Sequence, residues 1–265
     1  MNLSIIITTY NLPDSLLSTL ISIEKQVIPP YEVVIADDGS SIETKEMIFE
    51  FQKKTNLKII HSWQKDIGFR VARSRNKAIL NSKGDYIVIV DGDMILHPLF
   101  ISDHIKNAQK GFFTQGFRVL LGENISKKIL MEKKINFLLF FTDIKNIKNA
   151  IHSNILSKLF SKKGNHTKGI KSCNMGFFRE DFFNVNGFNN KFEGWGREDS
   201  ELIVRLLNSG ILRKDIRFNA IQFHLWHHEN IRDTLNINNK ILKNSISSHS
   251  KWCEDGVQSI KIYEN

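Results

Sequence analysis

The chain has 265 residues, of which 41% are hydrophobic and 25% charged, with a formal net charge of +9. These values are ordinary for a globular protein. The length suits one large α/β domain or a domain with an appendage, and the charge favours anionic partners such as nucleotide phosphates, nucleic acid, acidic glycans or an anionic membrane face. The two cysteines, Cys173 and Cys253, exclude a disulfide framework and a structural zinc site and point to a reducing, cytoplasmic setting.

Met1–Asn11 has no basic region and enters a strand pattern at once, so it is not expected to be a signal peptide. No apolar run reaches the roughly 18 residues of a bilayer span. Residues 3–9 read as a buried strand. Asn11-Leu12-Pro13-Asp14 is turn chemistry, with Asp14 or Ser15 expected to cap a helix whose apolar face is Leu16, Leu17, Leu20, Ile21 and Ile23. Val33–Ala36 is a second strand, ending at Asp37-Asp38-Gly39-Ser40. Glu43–Lys54 reads as a helix, Lys58–His61 as a third strand and Arg70–Asn81 as a helix. Asp85–Val90 is a fourth strand, leading into Asp91-Gly92-Asp93. Alternating strands and helices over the first ~95 residues imply a parallel sheet with right-handed crossovers.

Residues 124–168 have a different character. Lys127, Lys128, Lys133, Lys134, Lys145, Lys148, Lys158, Lys162, Lys163 and Lys168 face only Glu132 and Asp143. Ile144, Ile147, Ile151, Ile155 and Leu159 recur at helical spacing, and Phe137–Phe141 is a compact apolar patch. Two readings fit: an amphipathic helix pair covering a core with solvated lysines, or a basic amphipathic element resting on an anionic membrane surface. From Lys171 onward the chain reads as globular again, without internal repeats.

Several constellations carry chemistry. A buried parallel strand such as Tyr86–Val90 delivers the residues after it to the carboxyl edge of the sheet, where α/β proteins bind ligands. Mg²⁺ and Mn²⁺ often bind there through one or two carboxylates plus substrate phosphates, which suits Asp91 and Asp93. Asp37 and Asp38 suit a base N–H or a ribose hydroxyl, but a plain turn with Ser40 or Ser41 as helix cap also explains them. His224 and His227 can share a metal, or be incidental members of a half-buried aromatic segment. Arg70, Arg73 and Arg75 suit a diphosphate or a solvated helix face. Gly194-Trp195-Gly196-Arg197-Glu198-Asp199 puts an aromatic ring and a flexed turn before two carboxylates. These suit a second substrate, or cap the helix that runs through Leu202, Val204, Leu206 and Leu207. Two such acidic sites suit the transfer of a group from a nucleotide to an acceptor.

Thr8–Asn11, Ala36–Ser40, Gly68–Ile79 and Val90–Met94 resemble family-2 glycosyltransferases of the GT-A fold. Asn186–Leu202 and the histidine segment after it resemble the C-terminal part of β-1,4-galactosyltransferases and of bacterial chondroitin-type polymerase domains. The resemblance covers roughly residues 3–120 and 171–232. It implies an α/β, Rossmann-like, mostly parallel sheet flanked by helices. Residues 1–123 would form the nucleotide-sugar-binding half, 124–168 a basic amphipathic helical insertion, and 169–265 the acceptor-binding and catalytic half with a C-terminal helix.

The resemblance also implies roles. Thr8, Tyr10, Asn11, Asp37, Asp38, Arg70, Arg75 and Asp91 would bind the donor, with Asp38 and its neighbour on the uracil or ribose. Asp93 and His227 would ligate Mn²⁺ or Mg²⁺, joined by Asp91 and by His224, which stands where animal galactosyltransferases carry methionine. Trp195 would lie over the donor and stack on a sugar. Glu198, with Trp195 and Arg197, would hold the acceptor, and Asp199 would be the catalytic base. Two departures stand out. Ser200-Glu201 replaces further acid, which alters the acceptor contacts, and Lys171–Met175 does not match the segment that sets donor choice.

The implied reaction is an inverting, metal-dependent transfer from UDP-Gal, UDP-GalNAc, UDP-Glc or UDP-GlcNAc to a glycan or lipid-linked glycan. It would serve lipopolysaccharide, lipooligosaccharide or capsule synthesis, with peripheral contact at the inner face of the cytoplasmic membrane as one use of residues 124–168. A nucleotidyltransferase is the alternative enzyme, but it calls for a glycine-rich, basic phosphate loop near the N-terminus, which Thr8–Ser15 is not. A nucleic-acid-binding module is the other class. The lysines instead concentrate in one segment and no nucleic-acid motif is present, so nucleic acid is not an expected partner.

Overall fold

The structure is a computed structural model and describes residues 1–133, 143–228 and 233–260. Strands β1 (Leu3–Thr9), β2 (Glu32–Asp37), β3 (Ile59–Trp63) and β4 (Tyr86–Asp91) lie parallel in the order β3-β2-β1-β4. The aliphatic residues of β1, β2 and β4 are buried, as strands covered on both faces require. Helices α1 (Pro13–Glu24), α2 (Ile42–Gln52) and α3 (Val71–Asn81) make the crossovers. These elements fall where the sequence puts them, to within about two residues. The cap of α1 differs. Leu12 takes the cap position, Pro13 fills the first helical position, where its missing N–H costs nothing, and Asp14 sits in the first turn, where its charge suits the helix dipole.

Beyond β4 the sheet continues through β10 (Met175–Phe178), β6 (Phe112–Gln115), β11 (Leu212–Asp215) and β9 (Lys163–Gly164), eight strands in all. β10 is antiparallel to both β4 and β6, while β11 is parallel to β6. The N-terminal and C-terminal parts of the chain therefore share one mostly parallel sheet. Helices α4 (Phe100–Asn107) and α7 (Arg179–Asn184) add Phe100 and Phe182 to its core. A second sheet has the order β5 (Met94–Leu96), β12 (Gln222–His224), β7 (Val119–Leu121) and β8 (Ile144–Lys145).

The segment 124–168, expected as a basic helical insertion, is helical only in part among the described residues. It contains the helices α5 (Glu123–Glu132) and α6 (Asn154–Phe160), but Ile144 lies in β8 and Ile147 in a short 3-10 turn. β8 pairs with β7, and Asn146 takes a left-handed conformation, φ 65°. Strand pairing thus overrides a helical repeat of apolar residues. Ile147, Ile151, Ile155 and Leu159 are exposed, so they do not cover a core. Lys127 and Lys128 pair with Glu123 and Glu132, and Lys133 pairs with Asp14. Lys134 and the Phe137–Phe141 patch lie outside the described residues. Among the described residues no helix is long and apolar enough to cross a membrane.

Helix α8 (Glu198–Asn208) sends Leu202, Ile203 and Leu206 into the core. Glu201, which the resemblance places near the acceptor, is 1% exposed. It takes two hydrogen bonds from Arg205, of 2.8 and 2.6 Å, and one from Ser245 on α9 (Leu235–Ser247). It cannot reach an acceptor. Its task is to lock α8 to α9 behind the Glu198 turn. Removing one partner of a buried ion pair strands the other, at a cost of about 3–5 kcal/mol. Glu201→Ala should lose stability of that order in chemical denaturation; a wild-type midpoint would show that the pair holds nothing.

Candidate active site

The turn from β4 to β5 builds the first part of the site. The Gly92 N–H donates to the Thr8 carbonyl at 2.8 Å, and a Cβ at Gly92 would stand 2.9 Å from that oxygen. Close approach to β1 therefore requires glycine between the two aspartates. β5 pairs with β12 so that Met94 faces His224, and the Leu225 N–H donates to the Asp93 carbonyl. Asp93, His224 and His227 converge as a result. Asp93 Oδ2 is 3.4 Å from His224 Nε2 and 3.2 Å from His227 Nε2, and the two nitrogens are 3.3 Å apart.

This trio fits a divalent cation. Its ligand atoms lie within 4.8 Å of one another, and Asp93 Oδ1 is buried with no hydrogen-bond partner among the described residues. His227 Nδ1 lies 2.6 Å from the His228 carbonyl, an outer contact that aims Nε2 inward. Burial raises the Asp93 pKa, but the two histidines outweigh it and hold the carboxyl below the usual range. His227 is pushed up to about 9, chiefly by its bond to Asp93. Asp91 does not join the trio as expected, because its carboxylate turns to Arg75.

Arg75 is the hub of the second part. It is buried on α3, with Nε donating to Thr8 Oγ1 at 3.0 Å, Nη1 to Glu198 at 2.9 Å and Nη2 to Asp91 at 3.3 Å. The Phe188 ring lies 5.5 Å from the guanidinium carbon. Burial raises the Asp91 pKa and the Arg75 charge opposes it. One guanidinium thus ties Asp91 of the first acidic motif to Glu198 of the second. Arg75 positions these carboxylates and is not free for a diphosphate, contrary to the sequence expectation.

The Glu198 turn is strained. Gly194, Gly196 and Arg197 have φ of 70°, 93° and 82°. Arg197 takes this conformation without being glycine, and such residues persist where the surroundings enforce them. Here α9 does so. Asn238 donates to the Glu193 and Gly196 carbonyls at 3.1 and 3.0 Å, and Arg197 donates to Asn239 at 2.8 Å. Trp195 is half-buried on this turn. Asp199 accepts from the Ser200 N–H at 2.6 Å and from the Ser172 N–H at 3.3 Å. Burial, then the adjacent Glu198, push its pKa to about 7, with Arg75 opposing. A carboxyl at that value is suited to take a proton near neutrality.

At the ends of β1 and β2, the two aspartates of Ala36–Ser40 divide. Asp37 has no exposed surface; it accepts from the Ser40 N–H at 2.8 Å and contacts His61 Nε2 at 2.7 Å. It closes the turn and cannot touch a nucleotide, which corrects the expectation for that residue. Asp38 accepts from Gln64 at 2.5 Å and from the Arg70 N–H at 2.7 Å, and burial pushes its pKa to about 6. The Arg70 guanidinium turns to the Lys65 carbonyl, so it braces the 64–70 loop rather than a diphosphate. Tyr10 is exposed, its hydroxyl donating to Asp66, while Asn11 is left-handed and accepts from the Ser41 N–H.

Arg118 is a site residue that sequence reasoning misses. Its Nη1 lies 3.9 Å from Cys173 Sγ, and its Nε is buried without a partner among the described residues. Its charge bears on Asp91 and His227. A lone arginine after Gln115-Gly116-Phe117 carries no signal until β10 is seen beside β6. Burial pushes the Cys173 thiol up to about 12, so it is no nucleophile. In the same segment Asn174 is structural, donating to the Phe117 and Ala220 carbonyls.

A mostly parallel sheet flanked by helices, with acidic motifs at its carboxyl edge, is the build of a GT-A glycosyltransferase. The chain belongs to glycosyl transferase family 2, whose model matches residues 4–182. A second family model, the N-terminal domain of galactosyltransferase, matches residues 155–229. The chain is similar to the chondroitin synthase of Escherichia coli, at 25% identity over 84% of this chain and 34% of that protein. It is also similar to the validoxylamine A glucosyltransferase of Streptomyces hygroscopicus subsp. limoneus, at 26% identity over 79% and 48%. It thus spans about a third to a half of these relatives. Among solved structures, S. aureus TarS 1–349 matches with a TM-score of 0.65 and 14% identity, covering 94% of this chain and 65% of that one. The mannosyltransferase PcManGT from Pyrobaculum calidifontis, in complex with GDP-Man and Mn²⁺, matches with 0.58 and 16%, covering 90% and 60%. At such identities the likeness is one of fold.

Proposed function

We propose that this glycosyltransferase moves a sugar from a UDP-sugar to a glycan acceptor in a single inverting displacement that depends on Mn²⁺. The observation that carries this is the Arg75 bridge, which sets the Asp91 motif and the Glu198-Asp199 motif against one guanidinium. The donor class is supported by the TarS complexes with UDP and UDP-GlcNAc. A polysaccharide product is supported by the relatives named as chondroitin, hyaluronan and poly-β-1,6-N-acetyl-D-glucosamine synthases, and lipopolysaccharide or capsule is its proposed place.

Asp93, His224 and His227 would hold the cation, and two imidazoles beside one carboxylate favour Mn²⁺ over Mg²⁺. A bound ion would supply positive charge against the diphosphate. Arg118 adds a fixed positive charge on the same side. Tyr10, Asn11 and Asp38 take the uridine. Trp195 lies over the donor sugar, and Glu198 and Arg197 receive the acceptor. Asp199 accepts the acceptor hydroxyl proton as that oxygen attacks the anomeric carbon from the face opposite the diphosphate. The bond to the diphosphate breaks, and an α-linked donor yields a β-glycoside.

Released UDP from UDP-Gal, UDP-GalNAc, UDP-Glc and UDP-GlcNAc, with Mn²⁺ and after chelation, tests this function. One of the four should turn over only with the cation; turnover confined to sugars on another nucleotide would reject the donor class.

The pH profile tests the base. Asp199 must be ionised to act, so kcat/KM should rise through about pH 7 and level off above it. Stability moves the other way. The folded state binds this proton more tightly than the unfolded chain, so the group's stabilising contribution is complete below the ordinary carboxyl range and lost as pH rises through about 7. A profile already flat from about pH 6 upward would count against Asp199.

A further inference from the structure

Helix α6 turns an apolar face to solvent. Ile155 is 74% and Leu159 71% exposed, and Ile147, Ile151 and Phe160 are exposed as well. A surface helix ordinarily buries such a face, and a contiguous exposed apolar patch marks an interaction site. Beside α6 lies an open cavity of about 510 Å³, lined by Lys106, Lys158, Lys163 and Lys214 with Asn154 and Ser157 among other polar groups, and by no carboxylate. Among the described residues Lys106 lies near the buried Asp103, whose pKa burial raises and Lys106 helps hold down, while the ring under Lys163 and the hydrogen-bond acceptor of Lys214 are neutral. Lys106 donates to the Asn154 side chain and Lys214 to the Asn107 carbonyl, while Lys163 lies over the Phe112 ring. Lys148 and Lys162 are exposed on the same stretch of chain. Burial and the neighbouring Lys163 also depress the Lys214 pKa.

We infer that α6 and the lysine cavity form a docking surface for a membrane rich in anionic phospholipid. Ile155, Leu159 and Phe160 enter the interface, and the lysines take headgroup phosphates. Charge complementarity selects this occupant. A row of apolar side chains beside a lysine cavity that no carboxylate lines matches a surface that is apolar within and anionic at its edge. A second copy of this chain matches it poorly, because a two-fold contact would set the same lysines against each other. The lysines that pair with carboxylates on α5 take no part. The surface uses none of the residues assigned to transfer, so it stands or falls apart from that function.

Vesicle co-sedimentation of the full chain tests this. Vesicles of phosphatidylglycerol and phosphatidylcholine should retain the protein, vesicles of phosphatidylcholine alone should not, and retention should fall as salt rises. Lys158→Gln and Lys214→Gln should each weaken partition roughly fivefold. The double variant Ile155→Ser/Leu159→Ser should abolish retention, and since both residues are exposed it should stay folded and keep wild-type transfer to a soluble acceptor. Lys127→Gln/Lys128→Gln should change retention little. Equal retention on neutral vesicles, or indifference to the α6 and cavity variants, overturns the inference. So does inorganic phosphate binding without vesicle retention, which would leave a free-anion site. A dimer in sedimentation velocity that Leu159→Ser dissolves would overturn it in favour of self-association.

Discussion

Asp199→Asn should lower transfer by about 10²–10⁴-fold while leaving UDP-sugar binding intact. Asparagine keeps the shape of the side chain and can still accept the Ser200 N–H that Asp199 accepts at 2.6 Å. It cannot take a proton. The proposed uridine-binding residues Tyr10, Asn11 and Asp38 lie elsewhere, after β1 and β2, so donor affinity in a titration should hold while turnover falls. Stability supplies a second readout that a damaged fold would not give. Burial and Glu198 penalise the charged form of Asp199, so the neutral amide should be the more stable protein above about pH 7. A variant within a fewfold of wild type would place the base elsewhere, with Glu198 the next residue to examine.

Asp93→Ala and His227→Ala should each abolish cation-dependent turnover with the fold intact. Asp93 is the centre of the trio, touching both histidines and leaving one oxygen without a partner among the described residues. Its removal deletes the one carboxylate of the trio and leaves two imidazoles 3.3 Å apart. His227 carries the outer contact to the His228 carbonyl, so its loss removes both a ligand and its orientation. Neither side chain packs in the hydrophobic core, and circular dichroism should be unchanged. Calorimetry with Mn²⁺ should show saturable binding in wild type and none in either variant. Turnover without any divalent cation, or turnover that survives either change, would reject the assignment.

The strands β1, β2 and β4 are legible because strands buried on both faces appear as unbroken aliphatic runs, each leading to turn residues that reach the sheet edge. The acidic motifs are legible for the same reason. What each side chain does there is less so. Asp37 and Asp38 are neighbours of like chemistry, and only the pairing of β2 with β3, which sets Ile35 beside His61, shows that Asp37 is spent internally. Arg70 and Arg75 share one helical pattern, yet the packing of α3 buries Arg75 between two motifs and turns Arg70 to a loop carbonyl. Arg118 depends on a long-range antiparallel insertion of β10 that no local pattern encodes. The repeat from Ile144 to Leu159 misleads because apolar spacing reports which residues could share a helix face, while strand pairing with β7 decides the backbone.

The anomeric configuration of the product is the most direct test of the proposed chemistry. The α-linked UDP-sugar that supports turnover would be incubated with wild-type protein, Mn²⁺ and a glycan acceptor, and the new linkage read by proton NMR. A single displacement with Asp199 as base gives a β-glycoside; an α-glycoside would contradict it.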